Sequence, residues 1–326
     1  MDIVSLFAGC GGMDLGFQMA GFNVVWANEF DKTIWDTYRA NHPKTTLNTK
    51  SIKEVTLDEI PECEGIIGGP PCQSWSLAGS MKGINDERGQ LFFEYLRILK
   101  GKQPKFFIAE NVPGMRSKAH DAEFANIKLL FSQCGYTVAD YMVNASDYSV
   151  PQDRKRVILV GYRTDLNKFF WLPEKHKKIT LRDAIADLPP SLPSLPKDQA
   201  NPPYFLAFQN QEHMTGPYSY NYMSRNRVRA WDDQSFTILA SGRHAPQHPS
   251  APFMENVQKD VCRFKPGHED KYRRLSVREC ARIQTFPDSY RFLYTKVANG
   301  YKMVGNAVPV MLAKHLADQI KDDLNG

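Results

Sequence analysis

The sequence predicts an α/β protein with a parallel sheet, and two observations support this prediction. Apolar segments typical of strands alternate with segments of helical periodicity up to residue 162, which is the pattern of successive βαβ units. Near residue 172 the alternation ends, and Pro, Ser, Asn and Arg become frequent, which indicates a loop-rich second domain. With 326 residues, the chain is long enough for one large domain or two modest ones.

The predicted elements follow one another in a regular order. Apolar runs predict strands at 2–7, 23–27, 65–67, 105–109, 138–143 and 156–162, and helical periodicity predicts helices at 13–20, 31–41, 91–100 and 124–133. In the second part, residues 235–239 are typical of a short strand. Ser276 followed by Glu279 predicts the start of a helix over 276–284, and a closing helix is expected over 311–323.

Composition and cysteine spacing argue against a membrane protein, a secreted protein and a metal-binding protein. Hydrophobic residues make up 42% of the chain, but no apolar run is long enough to cross a membrane. The first strand starts without a preceding basic segment, so we expect no secretion signal. The six cysteines have neither CxxC nor zinc-site spacing, so we expect reduced thiols and no metal site. A formal net charge of +5 permits a nucleic-acid partner without requiring one.

The segment FAGCGG, residues 7–12, lies between the first predicted strand and the first helix. Glycines at such a turn let the backbone approach a ligand, and Glu29 closes the next strand, where nucleotide-binding folds bind ribose hydroxyls. The spacing G-x-G-G lacks the full dinucleotide pattern, so a nucleoside cofactor without pyrophosphate fits better than NAD. A glycine-rich turn with no ligand is the alternative.

The segment GGPPCQSWS, residues 68–76, places two prolines before Cys72. Proline fixes the backbone, and the end of a parallel strand is where open α/β sheets bind ligands. A structural cysteine in a tight turn and an exposed nucleophile both remain open on these grounds. The polar segment 73–90 that follows is typical of a binding loop or lid.

Three charged side chains could activate this thiol. Glu110 falls at the end of a predicted strand and could face the same crevice. Arg154 and Arg156 are two residues apart and are expected on one side of an extended segment, and cations near a thiol favour its thiolate. A buried ion pair and a solvated basic strand start are the alternatives for these groups.

These motifs, taken in order, resemble the C5-cytosine DNA methyltransferases over essentially the full chain. The matching segments are FAGCG at 7–11, GPPC at 69–72, ENV at 110–112, QDRKR at 152–156, RECARIQ at 278–284 and GNAVP at 305–309. Through MSRNRVR at 223–229, the chain is most similar in appearance to the HaeIII-type GGCC modification methyltransferases. The resemblance implies a DNA (cytosine-5-)-methyltransferase of a bacterial restriction–modification system.

The resemblance also implies an architecture. The fold would be a Rossmann-like, S-adenosylmethionine-dependent methyltransferase domain at 1–172, with a smaller target-recognition domain and hinge at 173–300. Residues 301–326 would return to the catalytic domain, and DNA would bind in the cleft between the two domains. The catalytic residues would be Cys72, Glu110, Arg154 and Arg156. Cys72 would add to cytosine C6, Glu110 would hold N3 and the amine, Arg156 would contact O2, and Arg154 would lie near the thiol and a phosphate.

S-adenosyl-L-methionine is the implied cofactor. One departure from the family pattern is Ser51, where an aspartate is usual, so the charge-assisted hydrogen bond to the adenine amine is absent. The implied cofactor-binding residues are Phe7, Ala8, Gly9, Gly11, Gly12, Glu29, Phe30, Ser51, Ile52, Gly69, Pro71, Leu91, Asn306 and Ala307.

Double-stranded DNA is the implied partner, with the target cytosine flipped out of the duplex. Arginine is the commonest bidentate reader of guanine, which favours arginines in the second domain as readers, although contacts to phosphates or to nearby acids are the alternative. A basic run at Lys271, Arg273 and Arg274 is expected to contact phosphates. The predicted DNA-binding residues are Ser76, Arg88, Arg225, Arg227, Arg229 and Arg243.

Two alternative functions remain. One is a tRNA cytosine-5 methyltransferase with the same thiol chemistry, and the other is a catalytically silent DNA-binding regulator. The arginine-bearing second domain favours duplex DNA, and the intact Cys72, Glu110 and Arg154 favour an enzyme. We further expect a monomer in the bacterial cytoplasm, with no membrane or metal partner, and a cognate restriction endonuclease that acts on the same site without direct contact.

Overall fold

The structure, a computed structural model, describes residues 1–71, 87–189, 194–200 and 209–326, with only the backbone at 87–89. Its strands are β1 (Asp2–Leu6), β2 (Asn23–Asn28), β3 (Thr46–Asn48), β4 (Gly65–Gly68), β5 (Phe106–Asn111), β6 (Tyr136–Asn144), β7 (Lys155–Arg163), β8 (Ser194–Leu195), β9 (His213–Met214), β10 (Glu255–Gln258) and β11 (Val261–Arg263). Its helices are α1 (Gly12–Met19), α2 (Trp35–Asn41), α3 (Glu87–Lys102), α4 (Asp121–Gln133), α5 (Leu181–Ile185), α6 (Val277–Ile283), α7 (Val297–Asn306) and α8 (Val310–Asn325).

A seven-stranded sheet dominates the first part of the described chain, in the order β3-β2-β1-β4-β5-β7-β6. The pairs from β3 to β5 are parallel, whereas β7 runs antiparallel to both β5 and β6. Strands β1, β4 and β5 are almost wholly buried, which explains why they are continuous apolar runs rather than alternating ones. The α/β prediction is confirmed, with one antiparallel strand that the sequence pattern did not predict.

Aromatic side chains fix two helices on this sheet. Phe107 of β5 stacks on Phe131 of α4, with ring centroids 4.3 Å apart. Tyr95 of α3 meets Phe107 edge-on, and its hydroxyl donates to the carbonyl of Ile108 at 3.1 Å. Helices α3 and α4, which precede and follow β5 in the chain, are therefore anchored to the strand that carries Glu110.

The described chain forms two compact units. The first comprises Met1–Asn144, Lys155–Glu174 and Leu312–Gly326 and contains the seven-stranded sheet. The second comprises Ala145–Arg154 and Lys175–Met311. The domain boundaries drawn from the sequence at 172 and 300 stay a prediction, because a compact unit need not coincide with a functional domain.

The second unit has little regular structure in its described part. The predicted strand at 235–239 is wrong, since Ser235 forms one isolated bridge with Gln152. Its neighbours bond elsewhere: the Thr237 hydroxyl donates to the carbonyl of Asp153, and the Ile238 amide donates to the Gln152 side chain, both at 2.7 Å. Hydrogen bonds that involve side chains therefore take the place of the expected strand pairing.

The predicted helix at 276–284 is confirmed as α6. The Ser276 hydroxyl accepts from the Glu279 amide at 3.1 Å, and the Glu279 carboxylate accepts from the Ser276 amide at 2.7 Å. This reciprocal capping satisfies two amides that would otherwise lack partners at the start of the helix. The closing helix is confirmed as α8, and α5, α7, β3 and β8 to β11 are elements that the sequence patterns missed.

Three buried side chains fix the end of α7 within the second unit. Gln152 donates to the Gln284 side chain at 2.7 Å. Gln284 donates to the carbonyls of Val304 and Ala307, and Arg154 donates to those of Gly305, Ala307 and Ile238, at distances of 2.8 to 3.1 Å. The segments QDRKR, RECARIQ and GNAVP therefore share one buried network.

Gly305→Ala is expected to destabilise the second unit. A Cβ at this position would lie 2.2 Å from the carbonyl carbon of Leu239 and 2.4 Å from the amide of Ala240, so backbone would have to move. We expect a loss of about 2 kcal/mol or more in the free energy of unfolding, measured by urea titration. Gly114→Ala is the control, because a Cβ there meets nothing within 4 Å; equal losses in the two variants would contradict this reading.

Candidate active site

The carboxyl ends of four strands in the first unit lie at one level of the sheet. Leu6 at the end of β1 pairs with Asn28 of β2 and with Gly68 of β4, and Gly68 pairs with Ala109 of β5. The segments that leave these strands therefore emerge side by side, as expected for the ligand-binding edge of an open α/β sheet. They begin at Phe7, Glu29, Gly69 and Val112, so three of the four start with predicted site residues.

Glu110 and Arg156 form an ion pair at this edge. Arg156 Nε lies 2.6 Å from Glu110 Oε1, and only 11% and 12% of the two side chains are exposed. The register explains the meeting, because Glu110 pairs with Ile158 in β7 and the antiparallel β7 starts where β5 ends. The guanidinium thus fixes the carboxylate while leaving its second oxygen on the side of the β4–α3 loop.

The second oxygen of Glu110 lies beside the segment that leads to Cys72. A Cβ placed on Gly69 would be 3.4 Å from Glu110 Oε2. The neighbouring Asn111 donates from Nδ2 to the carbonyl of Pro70 at 2.9 Å, and this contact is buried. The ENV segment is therefore fastened to the GPPC segment. Cys72 and Ser76 lie outside the described residues, as does the side chain of Arg88, although Pro71 is described and half-buried.

The glycine-rich loop turns sharply after β1. Phe7 and Gly9 have φ angles of +56° and +57°, and Gly11 has +82°. Positive φ costs energy at Phe7, which is not glycine, and backbone strain of this kind is often found at ligand-binding sites. Above Gly9 a Cβ would meet nothing within 4 Å, so the loop faces open space. A ligand could approach the backbone there as closely as the sequence pattern predicts.

Glu29 is bound to this loop. Its Oε2 accepts from the Gly9 amide at 2.8 Å, and its Oε1 accepts from the Asp31 amide at 2.7 Å. The Glu29 carbonyl accepts from Trp35 Nε1 at 2.8 Å. The carboxylate and the open loop together fit the ribose and methionine parts of S-adenosylmethionine.

The other predicted cofactor residues are divided between the units. Ser51 lies at the start of a 3₁₀ turn, Ile52–Glu54, and the preceding carbonyl, that of Lys50, accepts from the buried Asn28 at 3.0 Å. Ile52 is buried, Leu91 is half-buried against the core, and Phe30 is 69% exposed. Asn306 and Ala307 belong to the second unit, where Asn306 is exposed and the Ala307 carbonyl accepts from Arg154.

Arg154 does not share the environment of Arg156. Strand β7 begins at Lys155, so the two arginines are not on one continuous strand, and Arg154 is 1% exposed within the second unit. Its guanidinium donates to three carbonyls at the end of α7 and at Ile238. The two arginines thus have different partners, and a shared face and the role of Arg154 beside the thiol stay predictions.

The four predicted reading arginines fall into two groups. Arg225 and Arg243 are exposed. Arg227 donates to the carbonyls of Tyr222 and Asn221 at 2.7 and 2.6 Å, and burial lowers its pKa. Arg229 lies 3.3 Å from Asp153 and covers the ring of Phe236 at 4.2 Å. The first pair is exposed, whereas Arg227 binds local backbone carbonyls and Arg229 contacts side chains of its own chain.

In the basic run at Lys271, Arg273 and Arg274, the two arginines do not make the phosphate contacts that we expected, whereas Lys271 is exposed and its contact stays a prediction. Arg273 binds both oxygens of the buried Glu279, at 2.8 and 2.7 Å. Arg274 is 2% exposed, donates to the carbonyls of Met214, Gly216 and Pro217, and lies over the ring of Tyr218. Both arginines stabilise the second unit, because buried backbone and carboxylate oxygens need donors.

The described residues include no cluster of three or more potential metal ligands. No described helix combines the length and apolar character needed to cross a membrane.

Comparison with known proteins gives one consistent match. Residues 1–322 match the family described as C-5 cytosine-specific DNA methylase. The chain is 53% identical over 331 residues to the Type II methyltransferase M.NgoPII of Neisseria gonorrhoeae, which covers 99% of this chain and 96% of that protein. It is 55% identical over 327 residues to the Type II methyltransferase M.MthTI of Methanothermobacter thermautotrophicus, covering 100% and 98%.

Solved structures agree on the fold. A DNA modification methyltransferase encoded within an E. coli prophage matches with a TM-score of 0.76 at 23% identity, covering 100% of both chains. Spodoptera frugiperda DNMT2 matches with a TM-score of 0.68 at 18% identity, covering 98% of this chain and 99% of that one. The Rossmann-like methyltransferase fold predicted from the sequence is confirmed.

Proposed function

The chain belongs to the C-5 cytosine-specific DNA methylase family, and on this basis we propose that it methylates a flipped cytosine within duplex GGCC through a covalent Cys72 adduct. Family membership itself makes the chain a DNA (cytosine-5-)-methyltransferase of the Type II class found in restriction–modification systems, with S-adenosylmethionine as methyl donor. The monomeric state, the cytoplasmic location and the partner endonuclease stay predictions.

The observation that carries the covalent mechanism is the position of Glu110. Its carboxylate is held by Arg156 at 2.6 Å and lies beside Gly69, while Asn111 binds the Pro70 carbonyl. Only Pro71 separates Pro70 from Cys72 in the chain, so Glu110 lies beside the segment that carries the thiol. A nucleophile and a proton-sharing acid side by side are what addition to a cytosine ring requires.

The proposed reaction has three steps, which are addition of the thiolate, methyl transfer and elimination. The Cys72 thiolate adds to C6 while Glu110 shares a proton with N3, so that negative charge does not build up on the ring. C5 becomes enamine-like and nucleophilic. When bound, S-adenosylmethionine supplies an electrophilic methyl group and leaves as S-adenosylhomocysteine. Loss of the C5 proton to a solvent base then restores the C5–C6 double bond and expels Cys72 as thiolate, and N3 returns its proton to Glu110.

The proposed cofactor pocket is the loop at residues 7–12 together with Glu29. The open space above Gly9 and the carboxylate fixed by its amide support this assignment. Phe7 would stack on the adenine and Glu29 would accept hydrogen bonds from the ribose hydroxyls. The negative carboxylate also explains why a cofactor with a phosphate at this point would bind poorly.

Substitution of the two exposed arginines is expected to weaken sequence discrimination. Each good bidentate contact to guanine contributes about 1–3 kcal/mol. Arg225→Ala and Arg243→Ala should therefore each lower the ratio of cognate to non-cognate kcat/KM by about 5- to 150-fold. Arg263→Ala is the control, because Arg263 is also exposed in the second unit but lies in the β10–β11 hairpin paired with Glu255. An unchanged ratio in both reader variants would contradict the assignment.

The recognition site is tested by expression in a host free of cytosine methylation, followed by bisulfite sequencing. We expect methylated cytosine within GGCC alone. Methylated cytosines in other sequences would overturn the site while leaving the chemistry in place. Transfer of labelled methyl groups to tRNA but not to duplex DNA would overturn the DNA substrate itself.

A further inference from the structure

Asp14 is a fully buried carboxylate directly below the glycine-rich loop, and the proposed reaction does not use it. It lies in the first turn of α1 and is 0% exposed. Its Oδ1 accepts from the Ser5 hydroxyl at 2.7 Å, and its Oδ2 accepts from the Tyr38 hydroxyl at 2.5 Å. Burying a carboxylate costs free energy even when it accepts hydrogen bonds, because it loses its hydration. We therefore expect Asp14 to have a role besides packing.

The two donors come from the elements that lead into the proposed cofactor pocket. Ser5 is in β1, two residues before Phe7, and Tyr38 is in α2. The first residue of α2, Trp35, donates to the Glu29 carbonyl at 2.8 Å, and the Glu29 carboxylate accepts from Gly9 at 2.8 Å. These contacts link Asp14 to Tyr38 in α2, Trp35 of α2 to Glu29, and Glu29 to Gly9. The glycine-rich loop then continues into α1, which carries Asp14.

We propose that Asp14 is a positioning residue for cofactor binding, which sets the distance between the glycine-rich loop and Glu29 by joining β1, α1 and α2. The inference rests on the proposed cofactor pocket. Asp14 touches no reacting atom and acts through the backbone of the loop and through Glu29. A second contact supports the α1–α2 joint, since Gln18 Oε1 lies 3.0 Å from His42 Nδ1, and His42 stacks on Tyr38.

Burial and hydrogen bonding have opposite effects on the ionisation of the Asp14 carboxyl group. Burial raises the pKa of Asp14 to about 6, and the hydrogen bonds from Tyr38 and Ser5 oppose this rise. Removing either hydroxyl leaves a buried charge with fewer donors, so the helices would have to shift or the carboxylate would take up a proton. Either response weakens the link that Asp14 makes between β1 and α2.

A pair of matched variants tests the proposal on the full chain. Tyr38→Phe removes the donor to Asp14, and Tyr162→Phe removes another buried tyrosine hydroxyl that donates to a carboxylate, Asp323, at 2.7 Å within the same unit. We expect Tyr38→Phe to raise the Kd of S-adenosylhomocysteine and the KM of S-adenosylmethionine about tenfold, with kcat at saturating cofactor within about twofold. Tyr162→Phe should leave the Kd and both kinetic constants unchanged.

Equal effects of the two variants on cofactor affinity, or none, would overturn the proposal and leave Asp14 a purely structural residue. Ser5→Ala, which removes the other donor, gives the same readout if Tyr38→Phe fails to fold. Phe7→Ala distinguishes a wrong assignment of the cofactor pocket from a wrong assignment of Asp14. If Phe7→Ala leaves the Kd unchanged, the pocket itself is misassigned; if Phe7→Ala weakens binding and Tyr38→Phe does not, only the role of Asp14 fails.

Discussion

Cys72→Ala is expected to abolish methyl transfer to duplex DNA, with a loss of about four orders of magnitude or more in kcat. Without the thiolate, C6 receives no nucleophile, and C5 of an intact cytosine ring is too weak a nucleophile to accept the methyl group. The measurement is transfer of tritiated methyl groups from S-adenosylmethionine to a GGCC duplex. Binding of the duplex, measured by fluorescence anisotropy, should be retained because the substitution removes one small side chain.

Cys63→Ala is the control for this variant. Cys63 is a half-buried thiol in the same unit, and burial raises its pKa to about 12, so it is almost wholly protonated near neutral pH. Burial also raises the pKa of Cys10, Cys134 and Cys280, which makes them poor nucleophiles. Activity in Cys72→Ala comparable to that of the unmodified protein would remove the central residue of the mechanism.

Glu110→Gln is expected to lower kcat by about 10²- to 10⁴-fold while leaving the Kd of the cofactor unchanged. Glutamine keeps the shape of the side chain but cannot share a proton with N3, and it leaves Arg156 beside a neutral group instead of a carboxylate at 2.6 Å. Methyl transfer under single-turnover conditions measures the chemical step without product release. Arg156→Lys should give a smaller loss, because lysine keeps the charge but not the planar guanidinium.

The control for Glu110 lies at the opposite end of β5. Glu64 precedes β4 and binds Lys105, which precedes β5, at 2.8 Å. Glu64→Gln breaks a carboxylate–cation pair between the starts of β4 and β5, away from the proposed site. A loss of kcat in Glu64→Gln as large as that in Glu110→Gln would show that general damage to the sheet, and not proton sharing, explains the result.

The sequence was sufficient for six of the seven strands of the sheet and for the position of Glu110 at a strand end, but it missed β3 and the antiparallel direction of β7. Apolar runs locate buried parallel strands because both faces are covered, and residues that follow such strands gather at one edge. Glu110 follows this rule, since it lies near the end of β5 and its Oε2 lies on the side of Gly69, the first residue after β4.

The sequence was misleading where a residue's partner lies far along the chain. Arg154 and Arg156 are two apart, but the strand begins between them, and Arg154 binds carbonyls near residues 238 and 305–307. Arg273 and Arg274 resemble a phosphate-binding run, yet each binds oxygens of its own unit. Spacing rules describe neighbours on one element, and they do not contain the tertiary contacts that decide whether an arginine is free to meet a ligand.

The most direct test of the account is a covalent trap with a GGCC duplex that carries 5-fluorocytosine at the target position. After methyl transfer C5 holds fluorine and no proton, so the elimination that expels Cys72 cannot occur and the adduct should persist. We predict a protein–DNA complex that survives denaturation, depends on S-adenosylmethionine, and gives a modified peptide containing Cys72. A duplex that binds without any covalent complex, or a linkage through a residue other than Cys72, would contradict the mechanism.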